Sequence, residues 1–210
     1  MRRARPAALT ATVPGERDRG APNRQNDRVP TTADDRPGPV RVVFVCTGNI
    51  CRSPMADVVL RRMAADTALD GGGRLGDALE VSSAGTGGWH AGEPMDPRAL
   101  TALEGRGYVD HGHRARAFET AWFDDADLVV CLDRGHRETL AGLARARAGD
   151  RRHEDRLVLL RSFDPRAGGH VDVPDPYYGD DAEFERCLDL VEAGCRGLAA
   201  QLAERVGPAR

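Results

Sequence analysis

The sequence predicts a single α/β domain, a four-stranded parallel sheet with helices on both faces and a tight loop carrying functional groups directly after the first strand. Three observations predict it. Short β-branched apolar runs alternate with amphipathic stretches from residue 40 onward. The first of these runs passes through a Gly-Asn turn straight into a helical pattern. A length of 210 residues suffices for one ordinary domain and not for two.

The elements follow in order. Residues 1–39 hold Pro, Gly, Thr, Asn and Asp without apolar periodicity and read as a disordered basic N-terminal extension. The domain, residues 40–207, begins with Val40-Arg41-Val42-Val43-Phe44-Val45, which fits a buried strand. After Cys46 to Ser53, apolar Met55, Val58, Val59 and Met63 recur at helical spacing. Gly71-Gly72-Gly73 marks a turn before a second strand, Leu79 to Ser83, that ends at Ala84-Gly85. Asp96-Pro97 supplies an N-cap and a proline at the first helical position, and that helix should stop near Gly105 or Gly107. Asp127 to Leu132 is the third strand, a helix runs from about Gly135 to Arg147, and Arg156 to Leu160 is the fourth strand. A long helix from about Asp181 to Arg205 closes the domain. In such sheets ligands bind beyond the carboxyl ends of the strands, where Cys46 falls.

Composition removes several classes of chemistry. All 30 basic residues are arginine, so no lysine is present to form a Schiff base or to complete a G-x-x-x-x-G-K-[ST] nucleotide loop. The formal net charge of −3 is uneven: the first 40 residues hold eight Arg and five acids, the remainder 22 Arg and 28 acids. A basic globular face for nucleic acid is therefore not expected. No apolar run exceeds five residues, so no membrane-spanning segment is expected. Five cysteines without an apolar leader after Arg2 and Arg3 point to a reducing, cytoplasmic setting.

The segment that carries chemistry is Cys46-Thr47-Gly48-Asn49-Ile50-Cys51-Arg52-Ser53-Pro54, a Cys-x5-Arg pattern between a strand and a helix. Five intervening residues let the backbone curl so that successive N–H groups face one point, and the helix adds its positive end there. Arg52 can then grip a phosphoryl group with two parallel hydrogen bonds. The same field favours the thiolate, the nucleophilic form of Cys46. With five cysteines and 30 arginines, about 0.7 such patterns are expected by chance, so the spacing alone is weak. Cys131-Leu132-Asp133-Arg134-Gly135-His136-Arg137 matches it too. That second match places an acid where an anion would sit and lacks an early Gly-Asn, so Cys131 reads as a core thiol at a strand end. Gly48 and Asn49 in the first match tolerate the left-handed backbone a tight anion loop needs.

Val43 to Pro54 resembles the active-site signature of the low-molecular-weight protein tyrosine phosphatases, and Asp175-Pro176-Tyr177-Tyr178-Gly179 resembles the segment in which that family keeps its general acid. Ser83-Ala84-Gly85-Thr86, His113-Arg114-Ala115-Arg116 and Cys131-Leu132-Asp133 also resemble family landmarks, so the likeness spans about residues 40–207. It implies hydrolysis of phosphotyrosine in a protein or peptide substrate through a phosphocysteine, without cofactor or metal. Cleaving such an ester needs a proton for the leaving phenolate and then a base for water, and Asp175 can serve as both. Ser53 can donate to the Cys46 sulfur and make it a better leaving group. By the resemblance, Asn49 and His113 hold the loop in shape, and Trp89, Tyr177 and Tyr178 wall the substrate cleft. Cys51 is implied to form a reversible disulfide that shelters Cys46 from over-oxidation. A metal held by Cys46 and Cys51 has no second Cys or His pair at finger-like spacing. Cys187 and Cys195 are expected to point into the core.

Three other readings fit parts of the pattern. A thiol-dependent arsenate reductase on the same fold needs further cysteines, and the middle of the chain offers only Cys131. A phosphoarginine phosphatase of the same family resembles this loop with threonine in place of Ile50, whose apolar side chain favours an aromatic ester. A non-catalytic phosphopeptide-binding module with the basic arm as tether needs neither Cys46 nor Asp175.

Overall fold

The computed structural model describes residues 38–149 and 153–206. The expected N-terminal extension, apart from Gly38 and Pro39, lies outside the described residues. In chain order the elements are β1 (Val40–Cys46), α1 (Arg52–Asp66), β2 (Leu79–Gly85), α2 (Pro97–Gly105), α3 (Trp122–Asp125), β3 (Leu128–Cys131), α4 (Arg134–Ala148), β4 (Leu157–Leu159) and α5 (Asp181–Val206). The four strands form one parallel sheet in the order β2-β1-β3-β4.

Strand β1 lies in the interior of this sheet, and everything from Val42 to Cys46 is buried. Its side chains alternate between two cores, as strand geometry requires. Val42 and Phe44 face the larger core with Met55 and Val59 of α1 and Leu188 and Val191 of α5. Val43 and Val45 face the smaller one with Phe123 of α3 and Leu140 and Ala144 of α4. Each fully buried side chain of this size contributes roughly 1.5–3 kcal/mol, and burial on both sides suits the uninterrupted β-branched run of a central parallel strand.

Helix starts follow local chemistry. The Asp96 carboxylate accepts from the Arg98 N–H at 2.8 Å with Pro97 at the first helical position, as expected. At the other end of α4, Gly149 takes a left-handed φ of 68° and its N–H reaches Arg145 O. Two expectations need correction. The fourth strand is only Leu157–Leu159, because a 3₁₀ turn at Glu154–Arg156 precedes it and another at Leu160–Phe163 follows it. The four-residue α3 was not expected, because one turn is too short to show periodicity; it forms where Phe123 docks against Phe118, ring centroids 4.9 Å apart, and stacks on His153. Among the described residues no helix is long and apolar enough to cross a membrane.

Candidate active site

The loop after β1 is tied to its surroundings by its carbonyls. Cys46 O accepts from Thr86 N, Thr47 O from Gly87 N, Ile50 O from Asp96 N and Cys51 O from Met55 N, at 2.8–3.1 Å. Asn49 O accepts from His113 Nε2 at 2.7 Å. The N–H groups behave differently: among the described residues no acceptor meets those of Thr47, Gly48, Asn49, Ile50 or Cys51. Five consecutive donors are thus left open where α1 begins, a helix with no side-chain cap and no acid in its first turn.

Asn49 adopts φ 57°, the left-handed conformation expected of it. Its buried side chain fixes that shape, donating to Ser53 Oγ at 3.0 Å and accepting from Arg116 N at 2.9 Å. Gly48 needs correction. Its φ is not positive; the position is instead tight, since an added Cβ would lie 2.9 Å from His90 Cδ2 and force that side chain to shift. Cys46 Sγ lies 3.0 Å from Ser53 Oγ. That hydroxyl has one hydrogen and two acceptors in reach, Cys46 Sγ and Ala84 O at 3.2 Å. When sulfur is a thiol it donates to Ser53 and the hydroxyl goes to Ala84; when sulfur is a thiolate the hydroxyl turns to it.

Arg52 is the first residue of α1 and is buried. Nη1 donates to Asp133 Oδ2 at 2.9 Å and to Val173 O at 3.2 Å, and Nη2 to Thr47 Oγ1 at 3.1 Å and Asp175 Oδ2 at 2.6 Å. The remaining guanidinium hydrogen, on Nε, is buried without a partner. Asp175 is half-exposed, and its other oxygen accepts from Tyr177 N at 3.2 Å. The turn-forming and Arg52-facing behaviours of that aspartate therefore coexist.

Cys46, Thr47, Gly48, Ile50, Cys51, Arg52 and Asp175 line one cleft of about 220 Å³ together with Trp89, His90, Tyr177 and Tyr178. The three expected aromatics are all at its rim, with Trp89 76% and Tyr178 96% exposed. Tyr177 and Tyr178 meet edge to face at 5.0 Å. Cys51, Cys131, Cys187 and Cys195 are buried free thiols. Burial pushes the thiols of Cys51 and Cys131 far up, and that of Cys187 up to about 12; this suits Cys131 and Cys187 as core residues, whereas Cys51 also lines the cleft.

Three site residues were missed by reading the sequence alone. Asp133 and His136 sit in the segment set aside as a chance match, yet Asp133 meets Arg52, and His136 Nε2 lies 3.0 Å from Thr47 Oγ1. Arg98 of α2 clamps the segment after Asp175, donating to Tyr177 O at 3.0 Å and Gly179 O at 2.9 Å while its guanidinium lies 4.5 Å above the Phe184 ring. Burial works against ionising Asp96, but its hydrogen bonds with Arg98 outweigh it and hold that carboxyl below its ordinary range. The available signals were the landmark Cys131-Leu132-Asp133 and the cap Asp96-Pro97.

Fold and site together define an α/β protein with a thiol and an arginine framing an open set of backbone donors at a helix start. The chain belongs to the low molecular weight phosphotyrosine protein phosphatase family, whose model matches residues 41–207. It is 51% identical over 168 residues to a low molecular weight protein-tyrosine-phosphatase of Streptomyces coelicolor, covering 79% of this chain and 95% of the relative. The crystal structure of YfkJ from Bacillus subtilis matches with a TM-score of 0.69 at 32% identity, covering 81% of this chain and 99% of that one. The YwlE arginine phosphatase, solved as a cysteine-to-serine mutant with a phosphorylated active-site serine, matches with a TM-score of 0.63 at 28% identity, over 78% and 95% of the two chains.

Proposed function

We propose that this protein hydrolyses phosphotyrosine in protein or peptide substrates through a phosphocysteine on Cys46, with Asp175 as general acid and then general base. The observation that carries this reading is the set of unpartnered donors around the thiol: five loop N–H groups and the buried Nε–H of Arg52. A buried donor without a partner, such as the Arg52 Nε–H, is rare, and a tetrahedral oxyanion in the cleft supplies acceptors for it and for the open loop N–H groups together. In the first step Cys46 Sγ attacks phosphorus, the P–O bond to the phenol breaks, and the Asp175 proton goes to the phenolic oxygen. In the second, Asp175 takes a proton from water, the water oxygen attacks phosphorus, and the S–P bond breaks with Ser53 stabilising the departing thiolate. Substrate displaces Asp175 from Arg52 Nη2, so the carboxyl is released as the phosphate is gripped.

The remaining roles follow from position. Asn49 and His113 keep the loop in shape, and Trp89, Tyr177 and Tyr178 flank the aromatic ring. Two-electron oxidation of Cys46 by a peroxide gives a sulfenic acid, which the Cys51 thiol attacks to form a disulfide and release water. The domain is residues 40–207, preceded by a basic extension, and it works in the reducing cytoplasm. The phosphorylated serine in the mutant arginine phosphatase is consistent with a covalent step at the cysteine position. Its substrate class is disfavoured here by Ile50, an apolar side chain on the cleft wall.

The test is single-turnover release of phenol across a leaving-group series by wild type and Asp175→Asn. The mutant should lose roughly 10²–10⁴-fold with a basic leaving group and much less with an acidic one, so its dependence on leaving-group pKa steepens. Parallel dependences in the two proteins would remove Asp175 from the role of acid.

A further inference from the structure

A closed circuit of side chains surrounds the Arg52 guanidinium. Nη1 meets Asp133 Oδ2 at 2.9 Å; Asp133 Oδ1 accepts from the His136 backbone N–H at 2.8 Å and lies 3.0 Å from His136 Nδ1; His136 Nε2 lies 3.0 Å from Thr47 Oγ1; and Thr47 Oγ1 accepts from Arg52 Nη2 at 3.1 Å. His136 lies on α4, 89 positions along the chain from Thr47, and is buried.

The proton positions in this circuit follow from the inventory of donors. A guanidinium only donates, so Thr47 Oγ1 accepts from Arg52 and keeps its own hydrogen for another partner. His136 Nε2 is the acceptor within reach. The Nδ1 contact with Asp133 is off the line of an ideal hydrogen bond and leaves Nδ1 without a full partner, so it acts mainly as an electrostatic contact. Its sign still decides the tautomer: a bare nitrogen lone pair 3.0 Å from a carboxylate oxygen is repulsive, an N–H is attractive.

We infer that His136, as the neutral Nδ1–H tautomer, is a positioning residue for Arg52: it holds Thr47 by accepting its hydroxyl hydrogen, and Thr47 in turn sets the plane of the phosphate-gripping guanidinium. This rests on the reading of Arg52 given above. The charged groups facing the ring agree with a neutral imidazole. Burial pushes its pKa down to about 4, Arg52 works in the same direction, and Asp133, Asp175 and Asp172 oppose them without prevailing. A protonated ring would turn Nε2 into a second donor toward Thr47 and strand the hydroxyl hydrogen.

Two readouts on the full chain test the inference. Nitrogen–proton correlation spectra of the His136 imidazole should show the proton on Nδ1 with no change between about pH 8 and pH 5; a proton on Nε2, or titration near pH 6.5, overturns it. This readout needs no activity, so it stands apart from the phosphatase assignment, which fails instead if wild type shows no turnover of an aryl phosphate. The second readout is a cycle of Thr47→Val, His136→Leu and the double variant, followed by single-turnover kinetics. Each single change should cost roughly ten-fold in cleavage rate, and the double change no more than the worse single. His136→Gln, which brings an amide acceptor to the same reach, should recover most of the loss. Multiplicative losses, or a Gln variant as poor as Leu at equal thermal stability, would show that the ring acts only as packing. Should the leucine variant fail to fold, the glutamine variant and the wild-type spectra still decide.

Discussion

The segments after β1 and β3 share the pattern of a cysteine, five residues and an arginine, and they leave neighbouring parallel strands whose register sets Val45 beside Cys131. Each runs into a helix of 15 residues, α1 starting at Arg52 and α4 earlier in its segment, at Arg134. They differ in what fills the helix start. At α4 the Asp133 carboxylate caps the helix by accepting from His136 N, and the preceding Cys131 is fully buried. At α1 no side chain caps the helix and the loop N–H groups remain open. On the proposed reading the phosphate site is a helix start left uncapped, and the same dipole is neutralised internally one strand away. The capped segment also serves the open one, since the second oxygen of Asp133 anchors Arg52.

The largest expected contrast is between the two arginines. Arg52→Lys should lower kcat by about 10²-fold or more, because an ammonium cannot reproduce the planar two-pronged contact with the transferring phosphoryl group. Arg137→Lys should leave kcat within about two-fold, because Arg137 Nε donates to Leu157 O on β4 and Arg137 does not line the cleft. Steady-state hydrolysis of an aryl phosphate by both variants checks this, and equal losses would erase the distinction between the segments.

Asp133→Asn keeps an efficient helix cap and removes the charge beside Arg52. It should cost roughly ten-fold in kcat/KM, the value of a hydrogen bond to a charged group, while thermal unfolding shifts little. A large fall in melting temperature with unchanged kcat/KM would make Asp133 a cap and nothing more.

The smallest effect concerns pH. His136 has its pKa lowered from 6.5 to about 4, chiefly by burial, so the unfolded chain binds its proton at higher pH than the native protein does. Stability should therefore be unaffected by this group above about pH 6.5 and decline as pH falls from there toward 4, with the full cost present below both values. His136→Gln should flatten that part of the unfolding curve, which chemical denaturation across the range measures. An unchanged slope would mean that the ring is not held neutral by the fold.

Much of this was legible in the sequence because it is local. The strand, Gly-Asn turn and helix around Cys46, the Asp96-Pro97 cap and the long C-terminal helix are each set by residues within a few positions of one another. What was not legible depends on sheet order. Asp133 and His136 reach Arg52 and Thr47 across 81 and 89 residues only because β3 pairs with β1, and alternation of strands and helices does not specify that pairing. Cys131 is the buried core thiol its surroundings in the chain suggest, yet its neighbours Asp133 and His136 reach the loop after β1, because a segment that does not bind an anion itself can still supply the side chains that orient one that does. Arg98 is likewise a long-range case: the Asp96-Pro97 cap beside it marks a helix start but does not specify that Arg98 will hold Tyr177 and Gly179, 79 and 81 residues away.

The central claim is that chemistry occurs on the thiol of the uncapped segment. Wild type and Asp175→Asn, mixed with a labelled aryl phosphate bearing an acidic leaving group and quenched within the first turnover, should carry the label on the peptide containing Cys46. The peptide containing Cys131 should carry none, and Cys46→Ala, which removes the nucleophile altogether, should show neither label nor burst of phenol. Label on any other residue, or a full burst from Cys46→Ala, would contradict the account.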